Sequence, residues 1–164
     1  MQKYTEKEIK RKLEISVGML FKNDAFLVEN VVNERSISHK LAEYLQLLFP
    51  DYNVDCEYNR MEIGEDDEHF MTKRLNLGPE PINSDDTEAK TVFPDIIVHK
   101  RGNNDDNLLV IEIKKADRDT MIDEKKLKAF TNKCQLKYAL GCLLTFSKSG
   151  HIAAWYKDGK KLSA

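Results

Sequence analysis

The feature that most constrains the fold is the stretch Val92–Lys115, in which charged residues interrupt two apolar runs. The runs, VFPDIIVHKR and LLVIEIKK, flank the polar segment GNNDDN. Apolar runs on either side of a Gly/Asn/Asp cluster are typical of a β-hairpin. The sequence therefore predicts two paired strands over residues 92–115.

The charges within this hairpin need partners. Asp95 lies in the first run, and Glu112 and Lys114 lie in the second. A carboxylate in a buried strand is costly unless a cation or a metal accompanies it. Because side chains alternate along a strand, Glu112 and Lys114 share one face, and Ile111 and Ile113 share the other. Pairing across the turn brings Asp95 to the same place, so we predict that two carboxylates and one ammonium converge there.

Composition favours a globular protein of the cytoplasm. The chain has 164 residues, of which 41% are hydrophobic and 33% charged, which suits one folded domain rather than a disordered chain. Its apolar runs are too short to span a bilayer, and its charged N-terminal segment lacks the apolar core of a signal peptide. We therefore expect a cytoplasmic location and no membrane association. The cysteines have no CxxC spacing and are predicted to be buried, reduced thiols: Cys56, Cys134 and Cys142.

Charge is unevenly distributed along the chain. The net charge is −2, so the overall field does not indicate nucleic-acid binding. Met61–Lys90 carries nine acids and three bases, whereas Lys114–Lys137 carries eight bases and four acids. A polyanion is expected to meet the second region, and the alternative is that its lysines form a solvated helix face.

Helical patterns occupy residues 5–49. Thr5 and Glu8 form a capping-box pattern, and apolar residues then recur at helical spacing, which predicts a helix over about Glu6–Lys22. A short second helix follows. An amphipathic third helix is predicted to end before Pro50.

The remaining elements alternate between strand and helix. Tyr52–Asn59 is predicted as a strand with Val54, Cys56 and Tyr58 on one face. An acidic, turn-rich insertion covers about 61–90. After the hairpin, Asp119–Tyr138 is predicted as a helix, and two strands joined by a short turn precede a polar tail. The core candidates on the last helix are Met121, Leu127, Phe130 and Leu136.

This order of elements predicts an α/β protein. The apolar density of LLVIEI and GCLLTF indicates buried central strands covered by helices. We predict a single domain over residues 1–164, with a central mixed β-sheet of about four to five strands flanked by helices.

The pattern Pro94-Asp95, followed by Glu112-Ile113-Lys114, resembles the PD-(D/E)xK nuclease superfamily. The helix, strand, hairpin, helix, strand order matches the restriction-endonuclease-like core of that superfamily as well. The resemblance implies metal-dependent hydrolysis of phosphodiester bonds in nucleic acid, with DNA favoured, by an endo- or exonuclease.

The chemistry of such a reaction agrees with the residue types. Mg²⁺, or Mn²⁺ in its place, takes one or two carboxylates together with water and substrate oxygens. Asp95 and Glu112 suit that set, and the backbone carbonyl of Ile113 offers a third oxygen. Lys114 would orient the attacking water or stabilise charge on the phosphate in the transition state. The alternative is a salt-bridged strand face, in which Lys114 pairs with Glu112 or Asp95.

Five further residues are candidates, each with a plainer alternative. Glu34 resembles the N-terminal-helix glutamate that reaches the metal in many superfamily members, and otherwise serves the helix dipole. Gln135 and Tyr138 resemble the Gln–Tyr pair of RecB-like nuclease domains, with two intervening residues instead of three; otherwise they are a surface Gln and a core-edge Tyr. Arg60 is a candidate phosphate ligand or surface ion-pair partner. Lys115 faces phosphate or solvent.

A different class of function stays open. The chain is alternatively a catalytically silent nuclease-fold module that binds a protein partner through its acidic segment. If it is a nuclease, its small size suggests a homodimer, a separate partner protein, or selectivity for nucleic-acid structure.

Overall fold

A six-stranded mixed β-sheet with helices on both faces forms the centre of the fold, which confirms the α/β prediction. The structure is a computed structural model and describes residues 4–30, 33–58, 60–61, 71–72, 74–75, 90–91, 93–102, 105–134 and 136–163. The predicted acidic insertion lies mostly outside these residues. No helix in the described ranges has the length and apolar character needed to cross a membrane.

Three helices precede the sheet: α1 (Glu6–Asn23), α2 (Ala25–Glu29) and α3 (Glu34–Leu48). The predicted capping box is present, because the Thr5 side chain accepts from the Glu8 amide and the Glu8 side chain accepts from the Thr5 amide. The buried apolar residues of α1 follow helical spacing, as predicted: Ile9, Leu13, Val17 and Leu20. A fourth helix, α4 (Met121–Thr131), lies later in the chain.

Ten strands occur in the described residues. The six strands of the main sheet have the spatial order β1-β6-β7-β8-β9-β10, and two separate pairs, β2 with β3 and β4 with β5, lie within the acidic segment. The strands are β1 (Asn53–Cys56), β2 (Arg60–Met61), β3 (Met71–Thr72), β4 (Arg74–Leu75), β5 (Lys90–Thr91), β6 (Ile96–His99), β7 (Leu109–Lys115), β8 (Leu140–Ser147), β9 (Gly150–Lys157) and β10 (Lys160–Lys161).

The predicted hairpin is confirmed as the antiparallel pair β6–β7, with Ile96 opposite Ile111. Strand β7 then pairs with β8 in parallel, and α4 provides the crossover between them. A parallel pair needs such a crossover because the chain must return to the end of the sheet at which β7 begins before β8 can run in the same direction. This arrangement puts the N-terminus of α4 beside the carboxyl end of β7.

The two faces of the sheet bury different helices. Ile111 and Ile113 pack into the cluster formed with α1 and α3, whereas Val110 packs into the cluster formed with α4. Glu112 contacts α4 through Lys126, so it lies on the face opposite the two isoleucines. The predicted alternation along β7 is therefore confirmed.

The last helix is shorter than predicted. It ends at Thr131 and not at Tyr138, because Asn132 adopts an extended conformation and its side-chain oxygen accepts from the Cys134 amide. Lys137 has a positive φ of 54°, which a continuous helix excludes. Met121 is 60% exposed and does not belong to the core, whereas the other three predicted core residues are buried: Leu127, Phe130 and Leu136.

Two further predictions were wrong. The sheet has six strands and not four to five, since the polar tail contributes β10 through a tight turn at Asp158 and Gly159, which have positive φ values of 51° and 76°. The cysteines are all free, but only Cys142 is buried; Cys56 and Cys134 are exposed.

The strand prediction at Tyr58 was also wrong. Glu57 has a positive φ of 51°, which breaks the alternation after Cys56. Tyr58 consequently packs against the α4-side cluster, with its ring centroid 4.8 Å from that of His99. Val54 stays on the opposite side of the sheet.

Candidate active site

Charged side chains from four segments meet at the carboxyl end of β7. They come from the first turn of α3, the residue before β6, β7 itself and the first half of α4. The group, called here the charged cluster, contains the predicted Asp95, Glu112, Lys114 and Glu34 together with Asp123 and Lys126.

Asp95 connects the two strands of the hairpin. Its Oδ2 accepts a hydrogen bond of 2.7 Å from the backbone amide of Ile113. Burial raises the pKa of Asp95, while the bond from Ile113 and the charge of Lys126 oppose the rise; the net direction is upward. The carboxylate is thus held at the strand end at some electrostatic cost.

Glu112 is the most deeply buried member of the cluster, with 1% of its surface exposed. Its Oε2 lies 3.3 Å from the Lys126 ammonium, whereas its Oε1 is buried and has no hydrogen-bond partner. Burial, followed by the charge of Asp95, raises the pKa of Glu112 to about 8. An unpartnered buried carboxylate oxygen is energetically unfavourable.

Lys114 pairs with a residue that the sequence did not single out. Its Nζ lies 3.1 Å from Asp123 Oδ2, and Lys126 Nζ lies 3.9 Å from Asp123 Oδ1. Burial lowers the pKa of Lys114, but the bond and charge of Asp123 outweigh this effect, so the net direction is upward. The alternative in which Lys114 pairs with Glu112 or Asp95 is wrong, since its ion-pair partner is Asp123.

Glu34 closes the cluster on the α3 side. The Asn33 side chain caps α3 by accepting from the Arg35 amide, which puts Glu34 in the first helical turn. Its Oε1 accepts a 3.2 Å bond from the amide of Lys115. An open cleft of about 770 Å³ begins here, lined by Asn33, Glu34, Lys114, Lys115, Arg118 and Asp119.

Asp123 and Lys126 were missed at the sequence level, where their segment was interpreted as a basic helix face. They lie three residues apart on α4, so they point to the same side of the helix. Asp123 is buried, as is Leu127 one turn later. Asp123 recurs at helical spacing with the buried apolar residues of α4. This spacing was the feature of the sequence that could have indicated a buried acid.

Tyr138, another of the predicted residues, is not part of the cluster. Tyr138 is 2% exposed and packs edge-on against Phe130, with ring centroids 5.8 Å apart. It precedes Leu140, which pairs with Leu109 at the start of β7, and five residues of strand span about 17 Å. This burial contradicts direct contact of Tyr138 with nucleic acid. Gln135 and the Arg60 side chain lie outside the described residues.

The donors suit a hard divalent cation. Mg²⁺ is bound through one or two carboxylates and otherwise keeps water and substrate oxygens. The unpartnered Oε1 of Glu112 is a free oxygen donor of the required kind, and Asp95 lies close enough to raise the pKa of Glu112 by its charge. Among the described residues, no group of three or more His, Cys, Asp or Glu is placed to hold a metal ion. Asp95 and Glu112 are therefore the two candidate carboxylate ligands.

Acidic and basic side chains lie side by side in this arrangement. The carboxylate of Glu112 is buried, and the neighbouring cleft is lined by the basic residues Lys114, Lys115 and Arg118 together with the acidic Glu34 and Asp119. No protein-family model matches the sequence, and no curated protein is detectably similar to it.

Proposed function

We propose that this chain is a metal-dependent nuclease that hydrolyses phosphodiester bonds in nucleic acid, with DNA as the preferred substrate. The observation that carries the proposal is the buried, unpartnered Oε1 of Glu112, at the strand end where Asp95 is anchored and a lysine-lined cleft opens. The PD-(D/E)xK pattern supports the same assignment and implies a restriction-endonuclease-like core.

In this proposal, Asp95 and Glu112 hold Mg²⁺ or Mn²⁺, with the carbonyl of Ile113 as an additional oxygen donor. Glu34 lies beside them, and its Oε1 accepts from the Lys115 amide. When bound there, such a metal would neutralise charge on the scissile phosphate and lower the pKa of a water molecule. Lys114 donates hydrogen bonds to the attacking water or to a phosphate oxygen, where negative charge develops. Asp123 orients Lys114 through their 3.1 Å contact.

The nucleic acid would be bound mainly through contacts to its phosphates. Lys115 and Arg118 line the cleft beside Glu34, and both side chains reach solvent. Contacts to phosphates position a strand without reading its bases, so the expected binding is weakly dependent on sequence.

A cleavage assay tests the proposal. Supercoiled, linear, single-stranded and branched DNA are incubated with the protein and Mg²⁺ or Mn²⁺. We expect Asp95→Ala, Glu112→Ala and Lys114→Ala each to lower cleavage at least about 100-fold. Asp105→Asn is the matched control, because Asp105 lines a cavity at the opposite end of the sheet.

Two results together would reject the nuclease assignment. They are the absence of cleavage by the unaltered protein on all four substrates and the absence of Mn²⁺ binding by calorimetry. Circular dichroism of each variant separates loss of chemistry from loss of folding.

The silent interaction module is the second candidate. The observation that favours it is internal neutralisation, since Lys114 pairs with Asp123 and Lys126 pairs with Glu112. This function predicts intact DNA in the assay above and stable capture of a protein partner that the Asp95→Ala variant retains.

Light scattering tests whether the protein forms a homodimer. A monomer mass in dilute solution would contradict the homodimer.

A further inference from the structure

Lys126 holds the position next to Glu112 that a cation would be expected to take. Its Nζ lies 3.3 Å from Glu112 Oε2 and 3.9 Å from Asp123 Oδ1. Its side chain is 20% exposed, while those of the two acids are 2% and 7% exposed. The ammonium is therefore enclosed between two buried carboxylates and faces both.

The charges of the cluster do not balance. Its four carboxylates and two ammoniums leave two negative charges when all six groups are ionised: Glu34, Asp95, Glu112, Asp123, Lys114 and Lys126. One divalent cation would compensate this excess. The two lysines already present compensate only half of the negative charge.

A metal and Lys126 would compete for the same carboxylate. A divalent cation beside Glu112 and an ammonium within hydrogen-bonding distance of the same group repel each other, and burial strengthens that repulsion. Asp123 offers Lys126 a second partner on the same helix, three residues away. Lys126 can thus leave Glu112 without losing all compensation for its charge.

We infer that Lys126 is an internal competitor of the divalent cation. Its ammonium lies beside Glu112 in the metal-free protein and moves toward Asp123 when a metal binds. This inference rests on the proposed function, because it concerns the same metal site. Lys126 acts as a positioning residue that sets the metal concentration at which the site fills.

Calorimetric titration with Mn²⁺ tests the inference on the full chain. Lys126→Met removes the competing charge, and we expect the dissociation constant for Mn²⁺ to fall at least about fivefold. Lys125→Met is the matched control, since Lys125 is exposed on the same helix and has the same charge. We expect the control to change the constant less than about twofold.

Thermal unfolding gives a readout independent of activity. In EDTA, Lys126→Met is expected to melt at a lower temperature than the unaltered protein, because Glu112 loses its partner. Saturating Mn²⁺ is expected to raise the melting temperature of Lys126→Met more than that of the unaltered protein. Lys126→Gln, which keeps a donor without the charge, is a second variant in case Lys126→Met does not fold.

The unaltered protein provides a further test. Amine acetylation followed by mass spectrometry should modify Lys126 at a changed rate after Mg²⁺ is added, because its ammonium leaves Glu112, while Lys125 reacts at an unchanged rate. Equal Mn²⁺ affinity in folded Lys126 variants, or unchanged acetylation of Lys126, would overturn the inference and leave the nuclease proposal standing. Absence of Mn²⁺ binding by every protein would overturn the inference, and together with the absence of DNA cleavage it would reject the nuclease assignment as well.

Discussion

At the residue scale, the behaviour of Glu112 depends on how little water reaches it. An exposed glutamate ionises near its ordinary pKa, but Glu112 is 1% exposed and its pKa is raised to about 8, first by burial and then by Asp95. The Lys126 ammonium works in the opposite direction. Burial thus favours the protonated form of Glu112 in the folded protein.

The raised pKa of Glu112 makes stability pH-dependent. The folded protein retains a proton that the unfolded chain loses above the ordinary pKa of 4.5, so this contribution is complete below pH 4.5 and is lost as pH rises through about 8. In EDTA, we expect the free energy of unfolding to fall with pH in this window, by up to about 1.4 kcal/mol per unit.

Glu112→Gln isolates that effect. The variant has no carboxyl group to titrate, so its free energy of unfolding should depend less steeply on pH between 4.5 and 8. Urea unfolding of both proteins at several pH values measures the difference. Parallel curves would show that Glu112 does not titrate in this window.

At the scale of elements, the hairpin was predictable and the end of α4 was not. Two apolar runs around a polar turn are most simply explained by a hairpin, which the structure contains as β6 and β7. The hairpin prediction therefore also predicted that Asp95, Glu112 and Lys114 lie close together. Apolar residues continue at helical spacing as far as Leu136, although the helix ends at Thr131. Backbone geometry at Asn132 and Lys137 decides this, and composition does not encode it.

The packing of α4 on β8 depends on a residue without a side chain. A Cβ at Gly141 would lie 3.1 Å from Thr131 Cγ2 and 3.2 Å from Leu127 Cδ2, both closer than ordinary contact. We expect Gly141→Ala to destabilise the fold by about 1–3 kcal/mol, because the side chains of Thr131 and Leu127 must move away from the added methyl group. Urea unfolding measures the loss.

Gly150→Ala is the matched control for this substitution. A Cβ at Gly150 would meet nothing within 4 Å, and the residue also lies in the sheet. The expected change is within about 0.5 kcal/mol. Equal losses for the two variants would argue against the close approach of α4 at Gly141.

At the scale of the whole molecule, the order of helices and strands was sufficient to predict a sheet covered by helices. It did not predict which side chains meet between the helices and the sheet. Apolar patterns indicated helices on both faces of a sheet, and the two buried clusters agree. The contacts between α4 and β7 join residues of two different elements, and the apolar pattern of either element alone does not reveal them. Asp123 and Lys126 were missed for this reason, since only the parallel β7–β8 crossover brings them beside Glu112.

A protein with a net charge of −2 should bind DNA only through a local basic surface. We expect Arg118→Ala to weaken binding and to reduce the slope of log K against log salt by about 1, as for the loss of one phosphate contact. Fluorescence anisotropy in Ca²⁺ at several salt concentrations measures this slope. Lys7→Ala, at an exposed position beside Glu6 of the distant cavity, should leave it unchanged.

The bond from the Ile113 amide to Asp95 makes one backbone proton a reporter of the site. Its resonance in a ¹⁵N–¹H spectrum depends on the electron density of the carboxylate that accepts it. If Asp95 holds Mg²⁺ as proposed, titration with Mg²⁺ should move the Ile113 signal, and Asp95→Asn should abolish the response. Occupancy of the site can then be followed in solution without substrate, from a single amide in the middle of a strand.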